Sequence, residues 1–302
     1  MADIDAKPPW EHCYYVRPGY LMPTVTNSVE KIKKFDVRSD DVFIVTYPRS
    51  GTYWLTRAVR AIMTLNKSTL EVDHTIMDDL FITLSWGPFP DFPHLFKHTS
   101  AIDKYNARPL SLPREVGTHL LPEFLPTQYH EKKPKTIYLQ RNPKDVAVSF
   151  YFMHFASRTL GKPTSWDHFF EEFLTGNVEF GSWMENVKQW SKYKNQPGFL
   201  WLKYEDMLKN PMSVYYKIAH FLEITMTEKE MEVVMRFCDF KYMQEFFKNA
   251  PVAQDFMEKD GKYVRKGKVG DWKNYFTVAQ NEAFDKMYHE EMKGHEDLKY
   301  DF

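Results

Sequence analysis

Residues 41–54 read DVFIVTYPRSGTYW, and the fold turns on how this stretch is divided. Residues 42–45 are continuously apolar, with Asp40 and Asp41 before them and Pro48-Arg49-Ser50-Gly51 just after. A short apolar run bounded by turn residues reads as a strand of a parallel sheet, buried on both faces. From Thr52 the period changes. Trp54, Leu55, Ala58, Val59, Ile62, Met63 and Leu65 recur at helical spacing. The order is therefore strand, glycine turn, helix. Such a junction presents backbone N–H groups at the positive end of a helix dipole, which suits an anion. Arg49 adds a full charge, and Ser50 and Thr52 add hydroxyl donors. The G-x-x-x-x-G-K-[ST] spacing of a Walker loop is absent, so the loop is only P-loop-like. Taken alone, the octamer 47–54 also fits a tight turn with a capped helix.

The same alternation continues along the chain. Residues 116–119, 135–140 (KTIYLQ) and 199–204 (FLWLKY) read as further strands. The second of these ends at Arg141-Asn142-Pro143, where a helix opens with proline in its first turn. Helical spacing returns over 206–222, 231–237 and 279–292. Strands alternating with helices predict an α/β fold, a central parallel sheet flanked by helices. No linker or repeat divides residues 1–302, so one domain is expected, with 1–40 partly irregular. Proline and aromatic residues interleave between Trp86 and Phe96, which predicts irregular loops walling a pocket over 67–115. Residues 249–264 are polar and read as a mobile segment.

Bulk properties narrow the function. A net charge of −1 gives no sign of a nucleic-acid or anionic-membrane binder. Aromatics make up 17%, which fits either an aromatic core or a pocket for a flat ligand. Cys13 and Cys238 show no metal-ligand spacing and suit a reducing compartment. The first ten residues are not a signal peptide, and apolar runs such as 42–45 are too short to span a bilayer. No metal, no membrane and a cytoplasmic location are expected.

Three further constellations carry chemistry. Arg141 stands at a strand's C-terminal end, where open α/β sheets bind ligands, and Ser149 follows two helical turns on. The ordinary alternative is a surface helix start with Lys144 and Asp145 solvated. The run Arg265-Lys266-Gly267-Lys268-Val269-Gly270-Asp271-Trp272-Lys273-Asn274 pairs cations with glycines, which allows backbone to approach phosphate closely. A solvated loop has the same composition. His119, at the end of the strand 116–119, is a base or a structural residue by position alone.

In order and spacing these segments resemble the cytosolic sulfotransferase family from residue 41 onward. Tyr47 to Trp54 looks like its nucleotide loop, Arg141 to Ser149 like its 3′-phosphate motif, and Arg265 to Asn274 matches its RKGxxGDWKN pattern. The resemblance implies sulfuryl transfer from PAPS (3′-phosphoadenosine-5′-phosphosulfate) to a hydroxyl or amine of a small, largely apolar acceptor. By that resemblance Arg49, Ser50, Gly51, Thr52 and Tyr53 belong to the 5′-phosphosulfate loop, with Trp54 stacking on adenine. Arg141, Ser149, Arg265, Lys266 and Gly267 take the 3′-phosphate. Tyr204, Cys238 and Phe240 border the base. His119 becomes the general base, Arg49 stabilises developing charge, and no metal is called for. Residues 67–115 become acceptor-site loops, and Phe89, Phe92, Phe152, Met153 and Phe247 are pocket candidates. Phenols, steroid-like alcohols and arylamines all fit as acceptors. Lys273, Thr277, Val278 and Glu282 match the family's dimerisation pattern; an ordinary helix start capped by Thr277 is the alternative.

Three positions depart from the family: Arg49 for a usual lysine, Gly117 for a lysine found in many members, and Cys238 for a hydroxyl residue. The first two keep a non-catalytic PAPS- or PAP-binding protein in view. A P-loop-like kinase is the more distant alternative, since neither a Walker lysine nor a metal-holding acid is evident.

Overall fold

A computed structural model describes residues 7–72, 83–88, 99–112, 114–250 and 255–302 of the chain. The apolar run forms strand β1 (Val42–Thr46), buried at every position. It lies between β2 (Glu115–Thr118) and β3 (Lys135–Gln140), and β4 (Phe199–Lys203) extends the sheet beyond β3. The order β2-β1-β3-β4 is parallel throughout. Val42 pairs with Glu115 on one side and Lys135 on the other, so the strand ends are level. The expected α/β architecture with a central parallel sheet is what the chain adopts.

Period-two alternation explains the burial. Phe43 and Val45 enter one apolar cluster, while Val42 and Ile44 enter the cluster on the opposite face. Ile44 has no exposed surface. Its truncation to alanine would cost about 2–5 kcal/mol, the range for a buried aliphatic side chain.

Helix α1 (Thr52–Thr64) follows β1, and α2 (Pro143–Ala156) follows β3 with Pro143 in its first turn. Asn142 caps α2 by accepting from the Lys144 and Asp145 N–H groups. The helix expected over 206–222 is two helices, α3 (Tyr204–Lys209) and α4 (Pro211–Phe221). Pro211 cannot continue the first helix, and the Asn210 side chain caps the second. Helix α5 (Glu228–Phe237) and α7 (Val278–Glu291) lie close to their expected spans. Between them, α6 (Phe240–Asn249) covers a stretch with no assigned element in the sequence reading. The N-terminal segment contains an antiparallel hairpin, Cys13–Arg17 with Tyr20–Pro23. Among the described residues of 249–264, which read as polar, Phe256 and Met257 are buried and Ser157 bridges to Met257.

Candidate active site

All four strands deliver their C-terminal ends to one place. Arg49 follows β1, His119 follows β2, Arg141 follows β3 and Tyr204 follows β4. These residues line a cavity of about 500 Å³, together with Gly51, Thr52, Tyr53, Trp54, Ser149, Cys238, Phe240, Arg265, Lys266 and Gly267. Ser50 is fully buried beside them. Segments scattered over more than 200 residues of sequence therefore meet at the carboxyl edge of the sheet, the ligand edge of open α/β folds.

The turn after β1 is tightly constrained. Arg49 has φ +67° and Gly51 φ +96°. A Cβ at Gly51 would stand 2.6 Å from the Tyr204 ring, so glycine is required there on two counts. Two buried polar atoms here, Ser50 Oγ in this turn and Arg141 Nε beyond β3, have no hydrogen-bond partner among the described residues. Buried donors left in this way call for a ligand. Arg141 Nη1 donates to the Arg49 carbonyl at 2.7 Å, and its guanidinium lies 4.3 Å above the Tyr204 ring. The Arg49 guanidinium donates to Ser149 Oγ at 3.2 Å and to the Tyr263 carbonyl at 2.9 Å. Burial lowers its pKa, and nearby Arg141 and Arg265 lower it further. Three guanidiniums thus converge on one cavity and repel one another, an arrangement that an anion relieves.

The basic loop is held by acids on one side. Asp271 accepts from Arg265 at 2.8 Å and from Lys266 at 2.7 Å. Asp145 accepts from the Gly270 N–H at 2.7 Å and the Trp272 N–H at 3.0 Å, which ties the loop to α2. Gly267, at φ +62°, lies against Phe240, and a Cβ there would overlap that ring. Lys144 and Asp145 are buried rather than solvated. Lys144 donates to Asn281 at 2.7 Å and sits 4.3 Å above the Trp272 ring. Asp145 and the Tyr263 carbonyl were not legible as site supports, because their partners are more than 100 residues away in sequence.

His119 takes a defined tautomer. Its Nδ1 lies 2.8 Å from the Thr46 carbonyl, which can only accept, so Nδ1 carries the proton and Nε2 the basic lone pair. Burial lowers its pKa to about 4; the Thr46 hydrogen bond opposes this, and Arg49 adds to it. Phe180 packs edge-on against the imidazole at 5.3 Å. Thr46 Oγ1 contacts Thr52 Oγ1 at 2.7 Å, linking the histidine to the first turn of α1.

Of the acceptor-pocket candidates, Met153 lines the cavity. Phe152 instead carries the Arg265 guanidinium 4.6 Å above its ring. Phe247 stands behind the wall, stacked on Tyr263 at 4.4 Å. Phe89 and Phe92 lie outside the described residues. Trp86, from the loops expected to wall the pocket, lines it too, and Val25, Leu160, Phe180 and Phe256 add an apolar surface that the sequence reading did not assign. Lys273, Thr277, Val278 and Glu282 are exposed at the start of α7, with Val278 at 76% and Thr277 forming a capping box with Gln280.

Outside the cavity's centre, His12, Cys13 and Glu179 bring their ligand-type atoms within 4.8 Å of one another. The Gly161 N–H donates to His12 Nδ1 at 2.9 Å, so His12 presents an N–H, not a lone pair, to Glu179.

Comparison with known proteins agrees with this geometry. Residues 39–296 match the sulfotransferase domain. Sulfotransferase 1B1 of the dog, Canis lupus familiaris, is 39% identical over 280 residues, covering 91% of this chain and 92% of that protein. Human sulfotransferase 1E1 is 37% identical over 273 residues, covering 87% of each. The crystal structure of mouse sulfotransferase SULT7A1 complexed with PAP superposes with a TM-score of 0.78 at 29% identity, covering 95% of this chain and 96% of that one. The chain belongs to the sulfotransferase family. It is accordingly a transferase of the PAPS-dependent class.

Proposed function

We propose that this enzyme moves the sulfuryl group of PAPS to a hydroxyl or amine of a small, largely apolar acceptor, using the residues gathered at the sheet edge. The observation that carries the reading is the convergence of Arg49, Arg141 and Arg265 on one cavity that also holds His119. Ser50 Oγ and Arg141 Nε are buried donors in need of an acceptor, which fits a nucleotide carrying two separate anionic groups. Arg49, Ser50, Gly51 and Thr52 would hold the 5′-phosphosulfate, with Tyr53 behind them. Arg141, Ser149, Arg265, Lys266 and Gly267 would hold the 3′-phosphate. Trp54, Tyr204, Cys238 and Phe240 would enclose the base.

In the transfer, the acceptor oxygen or nitrogen bonds to sulfur as the bond from sulfur to the phosphate oxygen breaks. PAP leaves with that electron pair, and His119 Nε2 takes the acceptor's proton. Arg49 and the backbone N–H groups at the start of α1 offset charge growing on the departing oxygens. No lysine is required for this, because a phosphate leaving group is already weakly basic.

The apolar wall beyond His119 suits phenols, steroid-like alcohols and arylamines. Residues 67–115 contribute Trp86 to that wall, in keeping with acceptor-site loops. Among the described residues, no helix is long and apolar enough to cross a membrane. A cytoplasmic enzyme paired through Lys273, Thr277, Val278 and Glu282 completes the proposal. Transfer of labelled sulfuryl groups from PAPS to an acceptor panel tests it.

A further inference from the structure

The base subsite has a support behind its wall. Trp54 enters from the first turn of α1, and Cys238 caps the C-terminus of α5. Both line the cavity. Tyr215, on α4, is 1% exposed and packs within the apolar cluster below the sheet. The Trp54 indole N–H lies 2.6 Å from Tyr215 Oη. An indole N–H can only donate, so the phenol oxygen accepts from it and keeps its own proton for another partner. Cys238 lies close enough for its thiol and the Tyr215 phenol to shift one another's titration. The Cys238 thiol is itself neutral, pushed up to about 12 by burial.

We infer that Tyr215 is a positioning residue of the base subsite, fixing Trp54 through the hydrogen bond Trp54 Nε1–H···Oη. A tryptophan ring attached only at its Cβ turns about two torsions. Here one side is limited by the Tyr204 ring, edge-on at 5.6 Å, and the far edge is pinned by the phenol. The stacking surface for adenine is then set before the nucleotide arrives, and binding loses less freedom. The inference rests on the assignment of this cavity to PAPS and concerns only its base end.

Tyr215→Phe keeps the ring and removes the oxygen. Its PAP dissociation constant should rise about tenfold, the scale for stranding a buried donor. Its KM for PAPS should rise alike, with turnover at saturating PAPS within about twofold of wild type. Ribose 3,5-bisphosphate, which has both anions and no base, should bind the variant and wild type equally. Benzothienylalanine at position 54 keeps a bicyclic stacking surface without an N–H, and should give the same loss. The two changes together should weaken PAP no more than either alone. Unchanged PAP affinity in either single variant overturns the inference, as does an equal loss for the base-free probe. If wild type itself fails to bind PAP, the nucleotide assignment fails instead.

Discussion

His119 Nδ1 donates to the backbone carbonyl of Thr46 across 2.8 Å, and Thr46 is the last residue of the strand that leads into the phosphate loop. One residue therefore sets the tautomer of the histidine and the start of the anion cradle. In the proposed mechanism this relationship would register a base from β2 against a nucleotide held after β1.

Replacing His119 with alanine should lower turnover by about 10²–10⁴, the worth of a general base, and leave PAP affinity intact. The wild-type pH profile tests the same residue. The folded pKa of about 4 lies below the ordinary 6.5, so the imidazole is neutral across pH 5–8. The acid limb of kcat/KM for PAPS should fall near pH 4, not near 6.5. Between those values an unfolded chain holds a proton here that the folded chain lacks, so stability falls as pH drops through the window. A variant within a few-fold of wild type, or an acid limb at 6.5, contradicts the assignment.

Asp145→Ala should loosen the basic loop from α2 by freeing the Gly270 and Trp272 N–H groups. Hydrogen bonds to a carboxylate are each worth about 1.5–3 kcal/mol, so PAP affinity should drop at least tenfold. AMP, which has no 3′-phosphate, should bind wild type much more weakly than PAP and be little affected by the change. Calorimetry with both nucleotides measures this, and equal affinity of wild type for the two would remove the 3′-phosphate cradle.

The sheet was legible because each strand is a short apolar run ended by a turn, as at 42–46 and 135–140. The hairpin at Cys13–Arg17 and Tyr20–Pro23 was passed over, although Pro18-Gly19 sits between two aromatic-rich runs. Helix α6 is absent from the sequence reading, which takes Phe240 as a base contact and Phe247 as a pocket candidate and does not join them with Met243 into one helical face. The cations Arg49, Arg141, Arg265 and Lys266, singled out in the sequence, line one cavity. What restrains them was not legible, since Tyr263 approaches Arg49 from 214 residues away. Likewise, Phe152, a pocket candidate by sequence, lies beneath the Arg265 guanidinium.

Arg49 bridges the phosphate loop to Ser149 and to the Tyr263 carbonyl. Arg49→Met should reduce single-turnover sulfuryl transfer by about 10²–10³, as for loss of one preorganised donor. Arg49→Lys keeps the charge and should change the rate by less than about tenfold. Inert wild type restored by Arg49→Lys would reverse this account of the arginine.

Val278 is the most exposed apolar residue of the segment around α7's start, at 76%. A charge placed there should disrupt a small apolar contact between copies. Sedimentation of wild type should show a concentration-dependent dimer and Val278→Glu a monomer. Equal masses for both proteins count against pairing through this segment.

The most direct measurement is label transfer from [³⁵S]PAPS, with a chelator present, to a panel of phenols, steroid-like alcohols and arylamines. Sulfated product should appear with at least one acceptor class, with one PAP formed per label transferred, and His119→Ala should suppress it. Tight binding of PAPS with no transfer to any acceptor, in wild type and Arg49→Lys alike, would contradict the assignment of this site to sulfuryl transfer.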